Sequence, residues 1–331
     1  MDHRIILTGV TGNTGQVIAQ ELTRRGIPFT AMVRSEASRS KLAALGIQTI
    51  AGDFDDPLSL LRALEGFEKA YLVCTPDEKL IPRETSFIEA AKKAGVRHIV
   101  YCSAYMACLD GASQNLRSHG VVEQTLVSSG LDYTILRPHG FMQTFTGFSW
   151  DMVKKAGVLS MPGGDGALPL VDLGDVALVA VKALTEPGHA GKAYDLTGPE
   201  ALDPYQIAET IQQAIKRPVT YIPGDEKQFV FILKLMGVPE TPREHVIKIF
   251  SLQREHKLEK VHSTLQELGI QPTTYEQFIQ HLVAGQTGEG HSFEPPDSLI
   301  FKIMNAIMPL MARLNLFFYQ RSHPVVPAGN S

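Results

Sequence analysis

The sequence predicts a doubly wound parallel α/β sheet followed by a smaller, mostly helical lobe. Three observations predict it. Short apolar runs alternate with amphipathic stretches through the first half of the chain, the rhythm of repeated strand–helix units. Those runs are nearly continuous, as in Ile5-Ile6-Leu7 and Ala70-Tyr71-Leu72-Val73, which suits parallel strands covered on both faces. A glycine-rich turn, Gly9 to Gly15, links the first run to the first amphipathic stretch.

Taken in order, strands are predicted over residues 4–8, 29–33, 48–51, 70–74, 98–102 and 132–136, with helices over 14–25, 38–45, 57–64, 82–94 and 116–129 between them. Ser38 opens the second helix, and Asp55 or Asp56 caps the third ahead of Pro57. Right-handed crossovers then put ligands beyond the carboxyl ends of the strands. After Pro138 the rhythm loosens. Gly163-Gly164-Asp165-Gly166 reads as a turn or flexible loop, followed by a helix over 173–184, a strand over 192–196 and a helix over 204–214. Residues 221–282 read as mostly helical, with breaks at Gly237-Val238-Pro239 and Gly269. The expected organisation is a dinucleotide-binding core at 1–140, a substrate lobe interleaved with it at 141–285, and a linker with an apolar helix at 286–331.

Composition narrows the classes. A chain of 331 residues with 44% hydrophobic and 20% charged residues has the make-up of a globular protein. Thirty-one basic against 35 acidic residues leave a net charge of −4, without the basic excess of a nucleic-acid binder. Three cysteines without metal spacing suit a reducing compartment. The amino end runs straight into a strand with no signal peptide, so a cytoplasmic location is expected.

The stretch Thr8-Gly9-Val10-Thr11-Gly12-Asn13-Thr14-Gly15 follows a buried strand and opens a helix. In that context it reads as the dinucleotide fingerprint of a Rossmann sheet. Gly9 permits the tight turn, Gly12 lets backbone N–H groups approach a pyrophosphate, and Gly15 allows close helix–strand packing, with Thr11, Asn13 and Thr14 completing the loop. The second strand ends in Met32-Val33-Arg34-Ser35 with no carboxylate for a ribose 2′-OH. Arg34 offers a permanently charged fork to a 2′-phosphate, and Ser35 another hydrogen bond, so NADP(H) is favoured over NAD(H). Asp53 and Phe54 after the third strand face the adenine, or the acidic residues there cap the next helix; Thr75 and Pro76 after the fourth strand lie beside the nicotinamide ribose.

The glycine stretch, Val33-Arg34, Gly52-Asp53, the run from Ser129-Gly130-Leu131 to Leu136-Arg137-Pro138, Val171-Asp172-Leu173-Gly174-Asp175 and Tyr194-Asp195-Leu196-Thr197-Gly198 together resemble the NmrA-like, atypical short-chain dehydrogenases/reductases over roughly residues 4–285. The resemblance implies an NAD(P)H-dependent oxidoreductase. It also implies a Tyr-x-x-x-Lys pair, but the matching positions hold Asn115 and His119. Tyr105 is followed four residues later by Leu109 rather than lysine. An acceptor that spreads charge, such as a quinone, imine, conjugated carbonyl or dye, demands less of a general acid, and positioning supplies much of the rate. His119 then donates a proton or bonds the ribose in the lysine's place, or is an exposed helix histidine. Tyr105 is a second catalytic candidate or an interfacial aromatic, and Ser103 touches the ligand or caps a turn.

Pro138 and His139 border both nicotinamide and substrate, His139 as a weaker substrate contact than the backbone around it, while Phe141, Met142, Phe145 and Phe148 form either an apolar substrate wall or core. Asp172 and Asp175 read as caps and packing. The apolar segment 298–319 carries Lys302 and Arg313, which argues against a membrane span; packing, a homodimer contact or a weak membrane-surface contact remain. The implied partner is a small apolar or conjugated substrate. Two other functions fit the same fold: an NADP(H) sensor without catalysis, and a biosynthetic isomerase or cyclase.

Overall fold

A computed structural model describes residues 4–285; the expected linker and the apolar 298–319 segment lie outside the described residues, as does the Phe148 side chain. From the amino end, β1 (Ile5–Leu7) leads into α1 (Asn13–Arg24), β2 (Phe29–Val33) into α2 (Glu36–Ala43), β3 (Gln48–Ala51) into α3 (Pro57–Leu64), β4 (Lys69–Leu72) into α4 (Leu80–Ala94) and β5 (His98–Cys102) into α5 (Gln114–Ser128). Then come β6 (Asp132–Pro138), α6 (Met142–Ala156), β7 (Val158–Met161), α7 (Leu173–Thr185), β8 (Lys192–Leu196), α8 (Pro204–Ile215) and β9 (Thr220–Pro223). Four helices close the described chain: α9 (Glu226–Leu235), α10 (Glu240–Arg254), α11 (Thr264–Glu267) and α12 (Tyr275–Val283).

Seven strands pair in parallel in the order β3-β2-β1-β4-β5-β6-β8. Because successive side chains leave a strand on opposite faces, residue parity sorts the core. Ile5, Leu7, Tyr71, Val100 and Leu136 join one layer with α1 and α7. Ile6, Leu72, Ile99, Tyr101 and Ile135 join the other with α3, α4 and α5. Both layers are dry, so the sheet is covered on both sides as its apolar runs require. The strand order reverses between β1 and β4, and the glycine turn sits at that switch point, where an open parallel sheet leaves a crevice for ligands.

Helix starts follow their capping chemistry. Asp56, not Asp55, caps α3: its Oδ1 accepts from Leu58 and Ser59 N–H, with Pro57 at the first helical position. Ser35 caps α2, starting that helix at Glu36 rather than at Ser38. Asp172 caps α7, and Asp175 accepts from Thr273, tying α7 to the chain ahead of α12.

The structure departs from the periodicity in three places. The fourth strand ends at Leu72 because the Thr8 hydroxyl, not a neighbouring strand, takes the Val73 N–H at 2.8 Å. Residues 158–161 and 220–223 form a second, two-stranded parallel sheet, where 221–223 fall in the stretch that reads as mostly helical. The Gly163–Gly166 turn is fixed on the end of α10: a Cβ on Gly166 would run into the Gln253 backbone, and Gln253 Nε2 donates to Gly166 O at 2.8 Å.

Candidate functional site

The loop after β1 has the shape that the glycine spacing requires. Gly9 takes φ +64° and backs directly onto Val73, so a side chain there meets both strain and a clash. A Cβ on Gly15 would fall on the Gly9 carbonyl and lie 2.9 Å from Val10 N, which fixes how closely α1 approaches the strand. Gly12 N–H donates back to Gly9 O at 2.8 Å, and Gly12 is the N-cap of α1 without any side-chain cap. Among the described residues no side chain caps α1, whose first turn lies beside exposed Thr11, Gly12 and Asn13 and half-buried Thr14. That is a cradle for a pyrophosphate, and the residues present fit a dinucleotide.

At the next strand end, Arg34 is exposed and makes no hydrogen bond or ion pair among the described residues. Ser35 is less free than the sequence suggests. Its Oγ accepts from Ser38 N–H at 3.2 Å and gives its single proton to Ser38 Oγ at 2.9 Å. The free hydroxyl proton at this corner belongs to Ser38. Past β3, Asp53 Oδ1 accepts from Asp55 N–H at 3.0 Å and the Phe54 ring lies 5.7 Å from that of Phe87, so this loop is shaped by its own contacts. Asp55 is forked by Arg83 from α4, at 2.9 Å for both bonds, while Arg83 Nη1 also reaches Asp77 at 2.9 Å. The loops after β3 and β4 are thus clamped together, with Thr75 and Pro76 exposed between them.

The other half of the site lies after β5 and β6. Ser103 is buried and its Oγ donates to Glu123 Oε1 of α5 at 2.5 Å. Arg137, two residues after Ile135 on β6 and on the same face, forks on the same carboxylate. Ser103 therefore neither caps a turn nor stands free; it ties β5 to α5. Asn115, His119 and Glu123 are spaced four apart on one buried stripe of α5. His119 is not the exposed histidine one reading allowed. It is 7% exposed, its Nδ1 lies 2.6 Å from Tyr101 Oη, and burial first, then the nearby His245, pushes its pKa down to about 3. At neutral pH it is an uncharged imidazole.

Tyr105 follows β5, its backbone N–H bonded to Pro138 O at 3.0 Å. Its ring packs against His139 at 5.2 Å and against His262 at 5.6 Å. Its hydroxyl lies 3.3 Å from His262 Nε2, and His262 Nδ1 faces Asp195 at 3.9 Å. Burial raises the Tyr105 pKa, so the phenol keeps its proton. His139 is buried and serves as a support for Tyr105 more than as a ligand contact: its Nδ1 accepts from Gly140 N–H at 2.7 Å, which leaves the ring proton on Nε2. Burial pushes its pKa down to about 4. Met142 is corrected from the substrate wall to the core. It is 1% exposed and packs with Leu159, Leu170 and Tyr221, so it has no surface to offer. Phe141 and Phe145 are half-buried, and Phe145, like Tyr105, packs on the edge of that core.

Sequence reading missed His262, Asp195 and the Glu84–Tyr101 pair beneath His119. No local signal marks His262, which meets Tyr105 across 157 residues of chain. Among the described residues no cluster of His, Cys, Asp and Glu could hold a metal, and no helix is long and apolar enough to cross a membrane.

The model of the NmrA-like family matches residues 1–279. An NAD(P)H azoreductase of Xenophilus azovorans is 34% identical over 279 residues, which is 83% of this chain and 96% of that protein. Among solved structures, an NADPH-dependent quinone oxidoreductase of Escherichia coli complexed with NADPH superposes with a TM-score of 0.76 at 30% identity, covering 84% of this chain and 99% of that one. The triphenylmethane reductase of a Citrobacter species complexed with NADP(H) also gives a TM-score of 0.76, at 25% identity over 84% of this chain and 99% of that one.

Proposed function

Since the chain belongs to the NmrA-like family and is an NAD(P)H-dependent oxidoreductase, we propose that it uses NADPH to reduce a small conjugated acceptor: a quinone, carbonyl, imine or dye. The observation that carries this reading is the aromatic group at the ends of β5 and β6, Tyr105 on His139 and His262, set where a parallel sheet presents its crevice.

The bound nicotinamide supplies the hydride. The chain's own residues bind and orient. The first turn of α1 holds the pyrophosphate, Arg34 with Ser38 takes the 2′-phosphate, and Asp53 and Phe54 border the adenine. Thr75 and Pro76 line the nicotinamide ribose, with Pro138 closing the far side. Phe141 and Phe145 give a flat acceptor an apolar wall, and the Tyr105 phenol, kept protonated by burial, donates a hydrogen bond to its oxygen or nitrogen. Reductases of quinones, azo compounds and triphenylmethane dyes among the relatives support this acceptor class. The absent Tyr-x-x-x-Lys pair supports it too, because a delocalised acceptor needs positioning more than strong acid catalysis.

Stopped-flow loss of NADPH absorbance against a panel of quinones, azo compounds and cationic dyes tests the proposal. Turnover of at least one of these classes is expected. Tight NADPH binding with no turnover of any acceptor would overturn it.

A further inference from the structure

We propose that Glu84, Tyr101 and His119 form a buried proton reservoir for the reduction, an inference that rests on the reductase reading above. Glu84, on α4, is fully buried. Tyr101 Oη lies 2.7 Å from Glu84 Oε2 and 2.6 Å from His119 Nδ1. A phenol has one proton, so it bonds both neighbours only if one of them donates to it. Two arrangements satisfy this. In one, His119 Nδ1–H donates to Tyr101, Tyr101 donates to a carboxylate, and His119 Nε2 is bare. In the other, a Glu84 carboxylic acid donates to Tyr101, Tyr101 donates to His119 Nδ1, and His119 Nε2 carries the proton.

The surroundings select the second. A buried carboxylate without a cation is costly, and among the described residues none faces Glu84. From β4 it meets Tyr71, from the loop after β4 the Cys74 backbone, and from β5 Tyr101 and Cys102; beyond Tyr101 lies His119 of α5, and beyond that His245 of α10, which is itself bonded to Ser113. The neighbouring Arg83 turns the other way, onto Asp55 and Asp77. Glu84 Oε1 has no hydrogen-bond partner among the described residues, which a neutral acid tolerates better than a carboxylate. Burial accordingly raises the Glu84 pKa to about 8, against smaller lowering by Tyr101 and the Cys74 amide.

The chain also lies in the right place. Glu84 abuts Cys74, directly before Thr75 and Pro76, and Tyr101 precedes Ser103 by two residues on β5. The reservoir thus sits between the loops that follow β4 and β5, and at its histidine end His119 Nε2 is free of a hydrogen bond among the described residues.

A quinone that has accepted a hydride is an anion until one proton arrives. His119 gives the Nε2 proton to the quinone oxygen, the Tyr101 phenolic proton moves to Nδ1, and the Glu84 carboxyl proton moves to Tyr101 Oη. Three bonds to hydrogen break and three form. Glu84 ends as a carboxylate, His119 as its other neutral tautomer, and the electron pair reducing the quinone arrived with the hydride from NADPH. Water restores the proton through the same chain in reverse after product leaves. A cationic triphenylmethane dye is neutralised by hydride alone and draws no proton.

The test compares the two acceptors in single turnovers. Glu84→Gln keeps the side-chain shape and a donor to Tyr101 but has no acidic proton; Tyr101→Phe keeps the ring and breaks the chain. In both variants the ratio of quinone rate to cationic-dye rate is expected to fall about tenfold or more, within the usual reach of proton transfer catalysis. The wild-type quinone rate should fall as pH rises through about 8, and that limb should be missing in Glu84→Gln. Infrared spectra of the protein without cofactor give a second readout: a carboxylic-acid carbonyl band that is lost over the same pH range and absent in Glu84→Gln. An unchanged rate ratio in both variants, or no such band, overturns the reservoir. A wild-type protein that reduces no quinone, azo compound or cationic dye overturns the reductase reading and the reservoir with it, and one that reduces azo compounds alone overturns only the reservoir.

Discussion

Arg83 forks on Asp55 with two bonds of 2.9 Å, and Arg34, whose positive charge reaches the same carboxylate, forms no ion pair of its own among the described residues. The pairing gives Asp55 a cation other than Arg34. Arg34 is left as a free fork at the carboxyl end of β2, the position from which a 2′-phosphate is read.

Arg34→Ala is therefore expected to weaken NADPH binding by roughly one to two decades, the worth of a charge-assisted bidentate contact, while NADH binding changes little. The loss should shrink at high salt, because exposed charges are screened over about 8–10 Å. Titrating both cofactors into the variant checks this; equal losses would mean that Arg34 supports the fold.

Arg83→Gln is expected to act through the same corner without touching the phosphate. Asp55, released, turns its charge toward Arg34 and competes with the cofactor. NADPH affinity should fall roughly two- to fivefold, the scale of an exposed ion pair, and Asp55→Asn in the same chain should restore it. Dissociation constants for the single and double variants measure this coupling.

Tyr105→Phe removes the hydroxyl that lies 3.3 Å from His262 and leaves the ring on His139. Turnover should drop about tenfold with little change in KM, as expected for a hydrogen bond that strengthens as charge develops on the acceptor. Steady-state kinetics with one quinone suffice, and a rise in KM alone would mean that the hydroxyl only binds.

Glu84 also makes stability depend on pH, with a definite sign. Its pKa is raised from 4.5 to about 8 in the folded chain. Both states are protonated at low pH, and as pH rises the unfolded chain releases this proton first. Folding stability is therefore lost as pH climbs toward and through about 8. Asp175, raised to about 6, acts with the same sign lower down, and the buried histidines pushed down to about 3 or 4 finish their contribution by neutral pH. Between about pH 7 and pH 9, the unfolding free energy of the wild type from urea titrations should fall by an amount on the order of 1 kcal/mol, and Glu84→Gln should flatten the decline.

Much of this molecule was written locally. Ile5-Ile6-Leu7 followed by Gly9, Gly12 and Gly15 determined a buried strand, a tight turn and a close helix start, because each requirement involves residues within one turn of one another. The missing carboxylate after Val33 was legible for the same reason, as was Asp172 at the start of α7. The second sheet, β7 with β9, was not, since strand pairing across about 60 residues leaves no periodic trace in either segment. Nor was the part that carries the chemistry. His262 meets Tyr105 only because the chain returns after α10, and Met142 sinks into the core because the helices of the second lobe close over it. For His119 the sequence left a proton donor, a ribose contact and an exposed helix residue all open; its burial was decided by α4 and α10 packing against α5. Local sequence determines which side chains an element offers; burial, and with it protonation, is decided by what packs on that element from elsewhere in the chain.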